Sequence, residues 1–376
     1  MRRTCGTHSK DSFMKCFLIV NKSESVLTFR RTLISHLEEN GYAVTVVAQD
    51  NERETDIAKL GVPFYCVAQD NRGLNPFSIL RYWHQIRRIL KEEKPDVVFT
   101  FQLKANTFGV YGAKTAGVGR VFSMVEGAGD VFIKQSAMWK ALRAVICLLY
   151  RVAFSQVERV IFLNKEDQAE FLKRKILKEE KSFVIPGIGV DLERFAQKPL
   201  KNGKNFLMVA RLHKEKGVFE YCECARQVKA RYPEAQFDYL GPEREITVAD
   251  IQSYIDDGSI RYLGAVHDVR PYLEDCTILI LPSYREGMPM SIMEAEAVGR
   301  GIITFDTIGC RDTVVDGYNG FLLKPKDVEA MVEKCCYILE HPEEAVRMGE
   351  NSRRFAQERF DQNKINRMLL EIMEQC

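Results

Sequence analysis

The stretch from Thr277 to Gly299, TILILPSYREGMPMSIMEAEAVG, decides the fold. Its first five residues are apolar or β-branched, bounded by Pro282, and read as a strand buried on both faces of a parallel sheet. Ser291 to Val298 reads as a helix, and Gly299 stands where a left-handed residue closes one. Glu286 therefore falls on a strand-to-helix loop, and Glu294 about two turns along the helix. That is where an open α/β sheet binds ligands, beyond the carboxyl ends of its strands and beside unpaired helix N–H groups. One carboxylate can accept from sugar hydroxyls and the other from ribose, with the intervening amides facing a diphosphate. Taken alone, the pattern also fits a strand, a loop and a helix with two solvated acids.

Working outward, strand and helix patterns alternate along the whole chain of 376 residues, a length that calls for two domains. Expected strands in the first half are 16–21, 43–48, 63–67, 96–101, 121–125, 160–163 and 183–186, with helices between them, for instance 75–91 and 136–154. The pattern breaks at Gly187-Ile-Gly-Val-Asp-Leu-Glu-Arg-Phe195 and resumes with strands at 206–210, 236–240, 260–263, 277–281 and 302–304. Such alternation predicts parallel sheets covered by helices on both faces. Residues 1–13 lack an apolar core, so they do not read as a signal peptide, and Met14 reads as the start of the folded part. No run reaches the roughly 18 apolar residues needed to span a bilayer.

Composition is that of an ordinary globular protein, 46% hydrophobic and 28% charged. The eleven cysteines are scattered, without paired CxxC elements or a His cluster, and read as reduced core thiols rather than a metal site. The net charge of +2 hides an asymmetry: residues 1–190 hold 29 Lys and Arg against 20 Asp and Glu, and the remainder 25 against 32. A basic first half suits an anionic surface or a polyanionic acceptor. Two stretches, 138–152 and 79–91, mix aromatics, aliphatics and bases at helical spacing. They read as core-packed helices whose exposed edges could touch lipid.

Several motifs resemble family 4 retaining glycosyltransferases. They are the Glu286…Glu294 pair itself, Ile185-Pro-Gly-Ile-Gly-Val-Asp-Leu-Glu-Arg-Phe195, Val209-Ala-Arg-Leu-His-Lys-Glu-Lys-Gly217, Tyr262-Leu-Gly-Ala-Val266 and Asp316-Gly-Tyr-Asn-Gly-Phe321, in the family's order. Leu74-Asn-Pro-Phe77, Ala105-Asn-Thr-Phe-Gly109, Val125-Glu-Gly-Ala-Gly129 and Gly309-Cys-Arg311 resemble family members that extend polyprenyl-diphosphate-linked sugars, including the α-1,3-N-acetylgalactosaminyltransferases of bacterial N-glycan assembly.

The resemblance implies an α/β fold of the GT-B type, two Rossmann-like domains facing a central cleft. Residues 14–195, joined by a returning helix at 360–376, would bind the acceptor, and 196–359 the nucleotide sugar, with 1–13 a disordered extension. It implies transfer with retention from a nucleotide-diphospho-sugar, a UDP-N-acetylhexosamine or a UDP-hexose, onto a polyprenyl-diphosphate-linked saccharide. Peripheral contact with the cytoplasmic membrane face is implied as well; a nucleic-acid partner, a cofactor and a metal are not. No Asp-x-Asp element is present.

Arg211 and Lys216 would meet the diphosphate, where charge builds as the sugar bond breaks, so fixed cations there act on the transition state. Glu286 would bind the donor sugar and Glu294 the ribose; Val266, Gly287, Met288 and Pro289 would complete the donor site. Same-face attack is favoured, the acceptor hydroxyl losing its proton to the departing phosphate.

The first half departs from the family pattern. The His that follows the strand at 96–101 in many members is replaced by Gln102-Leu-Lys-Ala-Asn106, where Lys104 or Asn106 could offer polar contacts. The glycine-rich first loop is replaced by Asn21-Lys-Ser-Glu-Ser25, in which Ser23 or Ser25 could cap the following helix. Arg30 is a candidate for the acceptor's diphosphate or a solvated helix residue, and Glu126 could orient the acceptor hydroxyl or be a loop acid. His213 and His267 read as structural. Rival readings are a nucleotide-sugar epimerase of the same fold and an inactive sugar-binding subunit.

Overall fold

A computed structural model describes residues 13–67, 76–132, 136–201 and 203–375. Residues 1–12 of the expected 1–13 extension and the start of the Leu74-Asn-Pro-Phe77 motif lie outside the described residues. Contacts divide the chain into two compact units. One runs to Phe162 and adds Gln168–Phe183 and the chain from Asn366; the other comprises Leu163–Asp167 and Val184–Ile365.

The first unit is built on seven strands: β1 Met14–Ile19, β2 Tyr42–Ala48, β3 Phe64–Cys66, β4 Val97–Phe101, β5 Arg120–Val125, β6 Arg159–Phe162 and β7 Ser182–Val184. Their order is β3-β2-β1-β4-β5-β6-β7. The second unit has β8 Asn205–Val209, β9 Gln236–Leu240, β10 Arg261–Tyr262, β11 Ile278–Leu281, β12 Gly301–Phe305 and β13 Gly320–Leu323, ordered β10-β9-β8-β11-β12-β13. The pairs from β3 to β6 and from β10 to β13 are parallel. Each sheet therefore reverses its order beside its first strand, between β1 and β4 and between β8 and β11, the switch points at which such sheets bind ligands. Both units are Rossmann-like, as the alternation predicts.

The central strands are buried throughout: β4 reads Val-Val-Phe-Thr-Phe and β11 Ile-Leu-Ile-Leu, with helices covering both faces. Burying one such aliphatic side chain contributes about 1.5–3 kcal/mol, so these strands fix their own place in the sheet. β13 was not expected. It starts at Gly320, directly after Asp316-Gly-Tyr-Asn319, whose turn residues mask a short strand that pairs with β12.

The division between units falls at Phe183/Val184, earlier than 195/196. Gly187 and Gly189 already pack against the second unit, on the Met288 side chain and the Gln362 backbone. The terminal helix Gln362–Glu374 ends on the first unit, where Arg120 donates to the Met373 carbonyl and Asn366 to Thr32 Oγ1 at 3.3 Å.

The nine described cysteines are free thiols, all but Cys66 buried. Among the described residues, no helix is long and apolar enough to cross a membrane.

Candidate active site

At the β8/β11 switch point the second unit assembles two loops. After β8, Arg211 is exposed, Leu212 is buried, and Lys214–Lys216 forms a single 3₁₀ turn. His213 opens that turn by accepting the Glu215 N–H on Nδ1 at 3.3 Å, a structural role. Gly217 closes it at φ +72°, and a Cβ there would stand 2.1 Å from the Pro282 carbonyl oxygen. The Tyr284 N–H donates to the Glu215 carbonyl at 2.9 Å. The basic loop is thus pressed and hydrogen-bonded onto the chain leaving β11.

This brings Lys216 and Glu286, 17% and 13% exposed, into an ion pair. Water is largely excluded around them, so their attraction is stronger than that of a surface pair. The Glu286 N–H donates to the Ile308 carbonyl at 2.9 Å. The N–H groups of Gly287 and Met288 make no hydrogen bond among the described residues, which leaves two adjacent donors for an anion. Pro289 precedes the Met290–Val298 helix, which Gly299 ends in the left-handed conformation. Val266 is half-buried in the loop that follows β10.

Glu294 lies on the Met290–Val298 helix, partly buried, and makes no hydrogen bond or ion pair among the described residues. Burial pushes its carboxyl up to about 7, against an opposing pull from Arg194 and with a further push from Asp268. Two residues on, Glu296 is fully buried and held well above the usual carboxylate range by desolvation. The Asn319 amide donates to its Oε1 at 2.7 Å.

Residues not singled out in the sequence hold the Glu286 loop in place. Asn164 donates from Nδ2 to the Gly287 carbonyl at 2.7 Å, while its Oδ1 accepts the Asp167 N–H at 2.7 Å. The Asp167 side chain, 1% exposed, pairs with Arg285. Gly309, at φ +81°, lies against the loop from the other side, and a Cβ there would be 2.5 Å from the Glu286 carbonyl oxygen. The Gly309-Cys-Arg311 motif carried a signal for the last of these. Nothing local marked Asn164 or Asp167, which are more than a hundred residues away in sequence.

In the first unit, Asn106 is fully buried. Its Nδ2 donates to the Met124 carbonyl at 2.7 Å and its Oδ1 accepts from the Thr100 hydroxyl at 2.8 Å, and its burial keeps it from any surface a ligand could reach. Lys104 is half-buried in the turn after β4. Ser23 and Ser25 do not cap the helix. The Ser23 hydroxyl donates to Asp50, and that of Ser25 to the Lys22 carbonyl at 2.7 Å. Arg30 is 2% exposed, not a solvated helix residue, and pairs with Glu126. No group of His, Cys, Asp and Glu fit to hold a metal ion occurs among the described residues.

Comparison with known proteins matches residues 190–355 to the glycosyl transferases group 1 model and 15–164 to the glycosyl transferase 4-like model. The chain is 30% identical over 375 residues to the Campylobacter jejuni N,N'-diacetylbacillosaminyl-diphospho-undecaprenol α-1,3-N-acetylgalactosaminyltransferase, covering 96% of this chain and 98% of that protein. It is 27% identical over 314 residues to an Escherichia coli UDP-Gal:α-D-GlcNAc-diphosphoundecaprenol α-1,3-galactosyltransferase, covering 79% and 80%. Among solved structures, Anabaena HepE in complex with UDP and glucose superposes with a TM-score of 0.80 at 16% identity, covering 96% of this chain and all of that one, a likeness of fold.

Proposed function

The chain belongs to the group 1, family 4-like glycosyltransferases, and from that premise we propose that it moves one sugar from a UDP-linked donor onto a polyprenyl-diphosphate-linked saccharide, with retention. The observation that carries the reading is the end-to-end match to a transferase named for such an acceptor. The products would feed capsule, exopolysaccharide or glycoprotein glycan assembly. The relatives at hand are transferases and do not favour the epimerase or the inactive-subunit reading.

The donor's diphosphate would lie against Arg211, Lys216 and the free amides of Gly287 and Met288. As the anomeric bond breaks, negative charge grows on the leaving phosphate, and these prearranged groups favour that charge over the ground state. Lys216 would give up Glu286 to the phosphate, leaving the carboxylate to accept from donor-sugar hydroxyls. Glu294 would accept from the ribose. The acceptor hydroxyl would attack from the face the leaving group vacates and pass its proton to the departing phosphate oxygen. Cations and amides supply the charge stabilisation, so no cofactor or metal enters this scheme.

The protein would act at the cytoplasmic membrane face. The Ala137–Ser155 helix holds no acidic residue and exposes Met138, Val145, Leu148 and Val152 along one side, with Lys140 and Arg151 also exposed. Arg143 is instead buried, donating from Nε to the Val131 carbonyl at 2.7 Å. On the Pro76–Glu93 helix Phe77 and Leu80 are exposed, whereas Tyr82 is buried.

The test is product analysis: a lipid-linked acceptor should gain the mass of one sugar in an α linkage. A β-linked product would remove the retaining mechanism, and an unchanged acceptor with every donor would remove the reading.

A further inference from the structure

The first unit carries an ion pair that the donor chemistry does not use. The helical run from Glu24 to Glu39 is interrupted at Arg30, whose backbone leaves the helical region at φ −126° and ψ 1°. The Arg30 side chain is buried, with its guanidinium carbon 4.0 Å from the centre of the Phe101 ring. Nη1 donates to the Ser25 carbonyl at 2.9 Å and Nη2 to Glu126 Oε1. Glu126, one residue past β5, keeps 19% of its side chain exposed. Its second oxygen makes no hydrogen bond among the described residues.

These groups sit at the carboxyl ends of β4 and β5, beside β1 and the point where the sheet order reverses. The neighbouring Gln102 is held at φ +71° and accepts the Asn21 N–H on Oε1 at 3.1 Å. A π-helical turn, Ala105–Gly109, follows. A strained residue and a π turn persist only where surrounding structure holds them, and both concentrate at functional sites.

We infer that Glu126 recognises the saccharide of the acceptor, its free oxygen accepting from a sugar hydroxyl or acetamido N–H, and that Arg30 is its positioning residue rather than a diphosphate ligand. The inference rests on the lipid-linked acceptor reading. Arg30 is sealed from solvent, and Glu126, the Ser25 carbonyl and the Phe101 ring occupy its cationic face, so little positive charge reaches outward. The group presented is a carboxylate oxygen, which repels a diphosphate and attracts hydroxyl and amide donors. A stacked arginine holds that oxygen's direction, and direction decides discrimination among sugars.

The experiment compares two acceptors, undecaprenyl-diphosphate-linked N-acetylhexosamine and an octyl N-acetylhexosaminide without diphosphate. Wild-type protein is measured first: no transfer to either would sink both the acceptor reading and this inference before any variant is made. Glu126→Gln should raise the acceptor KM at least tenfold, by the same factor for both acceptors. The KM for UDP-sugar should stay near wild type and the protein should remain folded, with a melting temperature lowered by the loss of the counter-charge of buried Arg30. Arg30→Lys should raise the acceptor KM in the wild-type background and add nothing in the Glu126→Gln background. The inference is overturned by an unchanged acceptor KM in Glu126→Gln, by an Arg30→Lys effect confined to the diphosphate-bearing acceptor, or by additive effects of the two changes.

Discussion

Lys216 and Glu286 follow two adjacent strands, β8 and β11, and meet as a part-buried ion pair. Each masks the group that the other would offer a donor, so on the proposed function nucleotide-sugar binding would exchange one pair for two new contacts. Glu286→Ala is expected to abolish transfer while leaving UDP affinity within several-fold, measured by calorimetry beside turnover. Lys216→Ala should cost roughly 3 kcal/mol of transition-state stabilisation, about a hundredfold in kcat/KM, by analogy with a lost oxyanion donor. Wild-type turnover in Glu286→Ala would remove it from the site.

Gly309 supports the same loop through backbone contact. Gly309→Ala places a methyl group against the Glu286 carbonyl oxygen and forces a left-handed φ on a residue that resists it, at a cost of roughly 1–2 kcal/mol. The loop is the part that can yield, so kcat/KM should fall by tenfold or more while the protein stays folded. Thermal melts and steady-state kinetics on one preparation check this.

Glu294 is expected to make nucleotide binding depend on pH. Its carboxyl is raised from an ordinary value of 4.5 to about 7. Folding stability from this group is thus full below pH 4.5 and falls as pH rises toward 7. On the proposed ribose contact, hydroxyls would donate to the ionised form, so UDP affinity should rise by about tenfold between pH 6 and pH 8. Glu294→Gln should flatten both trends, as titration calorimetry and melts across that range would reveal.

Val145 and Leu148 project from the Ala137–Ser155 helix at 55% and 56% exposure. Replacing both with Glu should reduce co-sedimentation with vesicles containing anionic phospholipid by tenfold or more. Transfer to a water-soluble acceptor should not change. Equal vesicle binding by the variant would move the membrane contact elsewhere.

The architecture was legible because buried parallel strands announce themselves: the apolar runs at 97–101 and 278–281 are strands where the pattern places them. The pairing of Lys216 with Glu286 was half legible. Each stood in a motif after a strand, but only the sheet order makes β8 and β11 neighbours. What escaped was set by distant contacts. Arg30 reads from sequence equally as a diphosphate ligand and as a solvated helix residue; a helix break turns it onto Phe101 instead. Asn106 reads from sequence as a polar contact for the acceptor, yet it closes a hydrogen-bond network inside the sheet. Asn164 and Asp167 gave no local hint of Gly287 and Arg285, since neither periodicity nor spacing encodes such a contact.

The measurement that tests the central claim most directly is UDP release from a panel of UDP-sugars, with and without a short polyprenyl-diphosphate-linked saccharide. Release that favours one donor, requires the acceptor and vanishes in Glu286→Ala is the predicted result. Donor conversion without any acceptor, or tight nucleotide binding with no release from any donor in its presence, would contradict it.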